Sequence, residues 1–203
     1  MTQSIENKIL STIKRNRRGR IFFVDDFLSV GVAKTVNKTL ERLANKGEIT
    51  RVARGIYTRP QHSELLGIPI SPTTESIASA IAKRDRARII PTGAYALNAL
   101  GLSTQVPMNV VYLTDGAARK IQIGKRSILF KKTSPKNLAV EGEITGLAIQ
   151  ALRVIEKGKL SGSQQQKIVE LLKKEKPETL RHDIPLAPEW IRKIIRMALP
   201  ENQ

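Results

Sequence analysis

Lys34, Thr35, Asn37, Lys38 and Arg42 stand close together in the chain, and Arg51 and Arg54 follow shortly after. These residue types suit recognition of a nucleic-acid duplex. An Asn side chain matches the donor and acceptor of adenine in the major groove, and Lys or Arg donates to guanine. Arg51 and Arg54 would reach the flanking backbone or minor groove, and Thr35 and Thr39 would donate to phosphate. Lys14, Arg15, Arg17, Arg18 and Arg20 would form a charge reservoir beside the backbone. Each part also has a plainer account. Lys34, Lys38 and Arg42 at spacing four resemble any solvated helix face. Arg54 could be a tolerated exposed residue, and Tyr57 is expected in the core rather than as a stacking platform. The constellation carries the reading; no single residue does.

Other chemistries fare worse. The chain has no cysteine, so a thiol nucleophile, a thiolate metal site and a disulfide framework are all excluded. His62 and His182 are the only imidazoles, and His182-Asp183 is expected as a surface pair in a loop. Glu141-Gly142-Glu143 is a close carboxylate pair and is expected in a loop leading into a helix. Gly124-Lys125 is not a phosphate-binding loop, because Arg126 stands where Ser or Thr is required. Without paired acids, a metal site or an activated nucleophile, the chain is expected to be neither an enzyme nor a cofactor carrier.

The elements that would position the basic residues can be read from hydrophobic spacing. Ile5, Ile9, Leu10 and Ile13 predict a first helix with Ser4 as N-cap. After Gly19, Ile21-Phe22-Phe23 is a short apolar run. Asp25 or Asp26 is expected to cap a second, one- to two-turn helix with Phe27 and Leu28 inward. Beyond Gly31, the apolar residues Val32, Val36, Leu40 and Leu43 predict a third helix to about Asn45, stopped by Gly47. The opposite face of that helix offers Lys34, Thr35, Asn37, Lys38, Glu41 and Arg42. Two β-prone segments follow, Ile49 to Ala53 and Gly55 to Thr58, with Arg54-Gly55 at the bend. This order is that of a winged helix-turn-helix, with the third helix in the major groove.

The remainder predicts a mixed α+β domain. Ser71-Pro72 is expected to open a helix with Ile77, Ala78, Ile81 and Ala82 inward. A short strand spans 88–91, and Thr92 or Gly93 opens a helix stopped by Gly101. Val110 to Leu113 is expected as a central strand. Ile121 to Phe130 is expected as a hairpin about Gly124-Lys125. Helices then follow on Ile144 to Ile155, after a capping box at Ser163 to Gln166, and from Pro188. The fold class is therefore α+β, with a winged helix-turn-helix over residues 1–60 and an α+β domain over 61–203. The two are expected to join near Thr58 to Ser71.

Thirty-five Lys and Arg against 18 Asp and Glu give a formal net charge of +17 and a pI near 10.5. The excess is +8 over residues 1–60, +7 over 61–140 and only +2 over 141–203. Such a charge repels itself and suits an anionic partner, nucleic acid foremost. No apolar run approaches the ~20 residues of a membrane span. The first twenty residues lack the apolar region of a secretion signal, so a cytoplasmic protein with no membrane partner is expected.

Several blocks then point to a family: Arg51 to Tyr57, Gly101 to Pro107, Val111 to Gly116, and Phe130 to Pro135. Together they resemble the AbiEi-type antitoxins, transcriptional regulators encoded beside AbiEii-type nucleotidyltransferase toxins, over about residues 5–200. The resemblance implies a regulator whose winged helix represses its own operon at inverted repeats on double-stranded DNA. It also implies a C-terminal domain that neutralises the toxin in the type IV manner. It places DNA contacts at Lys34, Thr35, Asn37, Lys38, Arg42, Arg51 and Arg54, and implies no catalytic residues, cofactor or metal. A second possibility is a module gripping structured RNA through the basic second domain, although the few aromatics disfavour base stacking.

Overall fold

The computed structural model describes residues 4–63 and 67–200. Within the segment expected to link the domains, residues 64–66 therefore lie outside the described residues. The architecture is mixed α+β and forms two compact units. One comprises residues 1–81 with 122–125, and the other 82–121 with 126–203; the division falls inside a helix.

The first unit begins with α1 (Ile5–Arg15), whose Ser4 hydroxyl accepts from the Asn7 amide at 3.2 Å. Strand β1 (Ile21–Phe23) leads into a single 3-10 turn, Val24–Phe27. The expected second, one- to two-turn helix is thus a single four-residue 3-10 turn rather than an α-helix. Phe27 is buried as expected, but Leu28 is 48% exposed because the turn ends before it can face inward. Asp26 accepts from the Phe23 amide at 2.8 Å and holds the turn.

The third expected helix is α2 (Ala33–Asn45). Its ending is a Schellman motif: Gly47 N donates to Ala44 O, Glu48 N donates to Leu43 O, and Gly47 takes φ +75°. Val36, Leu40 and Leu43 are fully buried with Ile9 and Ile13 of α1, Phe22, Phe27, Ile49 and Tyr57. Each such side chain stabilises the unit by about 1.5–3 kcal/mol.

Strands β2 (Thr50–Ala53) and β3 (Ile56–Thr58) form a hairpin, and the sheet order is β1-β3-β2, antiparallel throughout. Gly55, at φ +72°, supplies the turn conformation that L side chains avoid. The register shifts between Arg51 and Ala53, a bulge at Val52. Just after β3, the Arg59 guanidinium donates to Lys14 O at 2.7 Å and Asn16 O at 2.6 Å. That contact satisfies helix-end carbonyls of α1 and places a cation at its negative pole. A two-residue ladder, β4 (Gln61–His62) with β5 (Pro69–Ile70), follows within the expected linker.

Helix α3 (Thr74–Asp85) buries Ile77, Ala78, Ile81 and Ala82. It starts later than Ser71-Pro72, because the Thr73 hydroxyl accepts from the Ser76 amide at 3.1 Å and caps it.

The second unit holds most of a sheet ordered β6-β7-β9-β8, from β6 (Ile89–Thr92), β7 (Asn109–Thr114), β8 (Arg119–Ile123) and β9 (Arg126–Lys132). Strand β7 is internal, antiparallel to β6 and parallel to β9. Tyr112 and Phe130 sit in register on one face, ring centroids 5.9 Å apart, with Tyr95 of α4 (Ala94–Ala99) 6.2 Å from Tyr112. The remaining helices are α5 (Glu143–Ile155), α6 (Gly162–Leu172), α7 (Pro177–Asp183) and α8 (Glu189–Arg196). They enclose a core that includes Ala148, Leu152, Ile168, Leu172, Leu180 and Ile195.

The capping box of α6 is Ser161 with Gln164, reciprocal at 3.2 and 3.1 Å, two positions earlier than expected. His182 and Asp183 end a helix rather than lying in a loop. Asp183 is fully buried and accepts from the Glu141 and Gly142 amides, each at 2.9 Å, and from His182 Nδ1 at 2.8 Å. With Glu175 accepting from the Ile144 amide at 2.7 Å, two carboxylates fasten the start of α5.

Asp183→Ala leaves a buried amide without its acceptor, so equilibrium urea unfolding should show a loss of about 2–4 kcal/mol. The Asp183 hydrogen bond is the main cause raising the His182 pKa above its ordinary 6.5, with Glu141 adding to it and desolvation opposing. That stabilisation is fully present below pH 6.5 and fades as pH rises through the folded-state value. His182→Gln should therefore cost more stability at pH 5.5 than at pH 9.

Candidate nucleic-acid interface

The amphipathic pattern of α2 decides which of its side chains meet solvent. With Val36, Leu40 and Leu43 directed inward, the opposite side must carry the polar residues. Lys34, Asn37, Lys38 and Arg42 are exposed, and Thr35 is half-buried. Thr39 is 1% exposed, so it cannot donate to phosphate as expected; its place three residues after Val36 turns it toward the core.

At 100° per residue, Lys34, Lys38, Glu41 and Asn45 fall within an arc of about 60°, directly opposite the buried stripe. Asn37 lies to one side of that arc, and Thr35 and Arg42 to the other. A surface depression of about 570 Å³ is lined by Lys34, Thr35, Lys38, Glu41, Arg42 and Asn45. A second, of about 350 Å³, shares Glu41 and Asn45 and runs on to Thr50 and Arg51. Five of the seven expected residues thus border this continuous surface. Asn37 and Arg54 line neither depression, though both are exposed, Arg54 at the hairpin turn.

The electrostatics separate these cations further. Lys34, Lys38, Arg51 and Arg54 form no ion pair among the described residues. Arg42 is partly engaged: it lies 3.6 Å from Glu6 and 3.4 Å from the Thr39 hydroxyl. Glu6 also binds Lys46 at 2.6 Å, and that hydrogen bond is the main cause lowering its pKa. Lys14 pairs with Glu48 at 3.0 Å. Arg20 donates to Asn16 Oδ1 and lies 5.3 Å from the Phe22 ring centroid. Arg15, Arg17 and Arg18 remain exposed.

Asn45, central on this face, is the residue that composition and residue type did not bring forward, whereas Glu41 was expected on it. The signal was present in its spacing from Lys34 and Lys38. Such a face can donate to phosphate and guanine, and it also presents one acceptor-only group. Among the described residues, no group of three or more His, Cys, Asp or Glu is placed to hold a metal. No described helix is long and apolar enough to cross a membrane.

Arg51 and Glu41 act on one buried hydroxyl. Burial pushes the Tyr57 phenol up from 10.0, Arg51 pulls it down, and Glu41 pushes it up. Arg51→Ala should therefore raise the Tyr57 pKa and Glu41→Gln should lower it. Carbon-13 chemical shifts of the labelled tyrosine ring, followed through the titration, would check both directions.

No curated protein and no solved structure matches the chain. A family model described as a family of unknown function, DUF6088, matches residues 8–180. By that match, which takes in α2, the β2–β3 hairpin and most of the second unit, the chain belongs to the DUF6088 family.

Proposed function

We propose that this protein binds duplex DNA with α2 in the major groove and the β2–β3 hairpin on the adjoining backbone. It then acts as a winged helix-turn-helix transcriptional regulator, with residues 1–60 as the DNA-binding part. The observation that carries the reading is the unpaired cationic surface of Lys34, Lys38 and Arg51, continuous along α2 and into β2. The element order helix, strand, short turn, helix, hairpin, with sheet order β1-β3-β2, supports it. The resemblance to AbiEi-type antitoxins extends the proposal to a cytoplasmic autorepressor at inverted repeats, with residues 61–203 serving antitoxin function against a nucleotidyltransferase.

A specific feature of the second unit favours RNA as the competing ligand. Lys120, Lys131 and Lys132 on β8 and β9 are exposed and form no ion pair among the described residues. Against it, Tyr112 and Phe130 of that sheet are buried, which leaves little for base stacking.

Fluorescence anisotropy with DNA from the upstream region of its own gene tests the proposal, with transfer RNA as competitor. With about five phosphate contacts, affinity should fall roughly 10²- to 10³-fold between 50 and 200 mM salt. Lys38→Glu and Arg54→Glu should each weaken binding, whereas tRNA should compete poorly. A flat salt response, or unchanged affinity in both variants, would contradict the proposal.

A further inference from the structure

The α2 surface contains one group that a purely phosphate-binding face would not. Glu41 is exposed at the edge of the polar arc nearest Asn37, lines both depressions, and forms no ion pair among the described residues. The other acids of α1 and the turn after α2 are neutralised: Glu6 by Arg42 and Lys46, and Glu48 by Lys14. Among the described residues of this neighbourhood, Glu41 alone keeps a carboxylate outside any ion pair on the cationic face.

A carboxylate accepts hydrogen bonds and donates none, so phosphate oxygens repel it. In the major groove it cannot satisfy guanine or thymine, whose edges there offer acceptors or a methyl group. Adenine offers an amino donor, but its N7 acceptor sits beside that donor and would repel the second oxygen. Cytosine offers its N4 amino group without a neighbouring acceptor. The paired guanine presents O6 and N7 alongside, and Lys38, three residues before Glu41 on the same face, is a donor suited to them.

Building on the DNA-binding reading above, we infer that Glu41 is a specificity-determining residue that accepts from a cytosine N4 amino group and reads one C·G pair with Lys38. Its charge also lowers affinity for unrelated duplex, because a carboxylate held near phosphates that cannot reach a cytosine is repelled. A surface that would otherwise bind any duplex through charge thereby discriminates among sequences.

Selection from a randomised duplex pool, followed by sequencing, tests this with the full chain, Glu41→Gln, and Glu178→Gln as a control with the same charge change. Glu178 is exposed on α7 in the other unit. The unsubstituted chain should enrich a motif with a cytosine position. Glu41→Gln should lose about 5- to 100-fold of the preference at that position alone, the range of one good base contact. Glu178→Gln should leave the motif intact. A motif that is the same with Glu41→Gln, or one that weakens equally at every position, overturns the inference and leaves DNA binding standing. If the unsubstituted chain enriches no sequence and retains no duplex, the DNA-binding reading falls and this inference with it.

Discussion

The first unit depends on the packing of α2's apolar stripe against α1 and the small sheet. Val36, Leu40 and Leu43 are closed off from solvent by Ile9, Ile13, Phe22, Phe27, Ile49 and Tyr57. That burial fixes the rotation of α2 about its own axis, and so determines which side chains face outward. Tyr57 extends the constraint to the hairpin, since it belongs to both β3 and the core. Arg59 adds a second tie by holding the carbonyls at the end of α1. Loss of any large member of this cluster would cost about 2–5 kcal/mol and free the helix to roll. The polar face of α2 is therefore a consequence of the core behind it.

Charge is then distributed on that frame unevenly. Acids neutralise part of the basic excess where α1 meets α2, at Glu6 with Arg42 and Lys46 and at Glu48 with Lys14. These exposed pairs contribute little stability. Their larger effect is on which cations remain open: among the described residues Lys34, Lys38, Arg51 and Arg54 stay unpaired, while Arg42 is drawn toward Glu6. Leaving like charges close together costs some stability through self-repulsion. An anionic ligand would relieve that repulsion, which is the physical link from this arrangement to the proposed partner.

Much of this was legible in the sequence, for identifiable reasons. Helix α2 was, because the spacing of Val36, Leu40 and Leu43 is strongly periodic and Gly47 supplies an unambiguous stop. The hairpin was, because Arg54-Gly55 separates two β-prone runs. Thr39 was misjudged because its type suggests solvent, whereas its position beside Val36 and Leu40 turns it inward. Ser71, Thr73, Ser161 and Ser163 are all competent caps, and only hydrogen bonds to Ser76 and Gln164 select Thr73 and Ser161. The role of Asp183 was not legible at all, since it holds amides some forty positions earlier in the chain. Glu41 was placed on the polar face by its spacing, and Asn45 was accessible by turning the helix through 100° per residue, a step that residue type alone does not prompt.

The most direct test of the central claim is a residue-resolved map of the contact surface. Amide chemical shifts of the nitrogen-15-labelled chain, titrated with a short DNA duplex, would provide it. This account expects the changes to concentrate in α2 from Lys34 to Asn45 and in the hairpin from Thr50 to Gly55. Changes confined to β8 and β9, or none at saturating duplex, would contradict it.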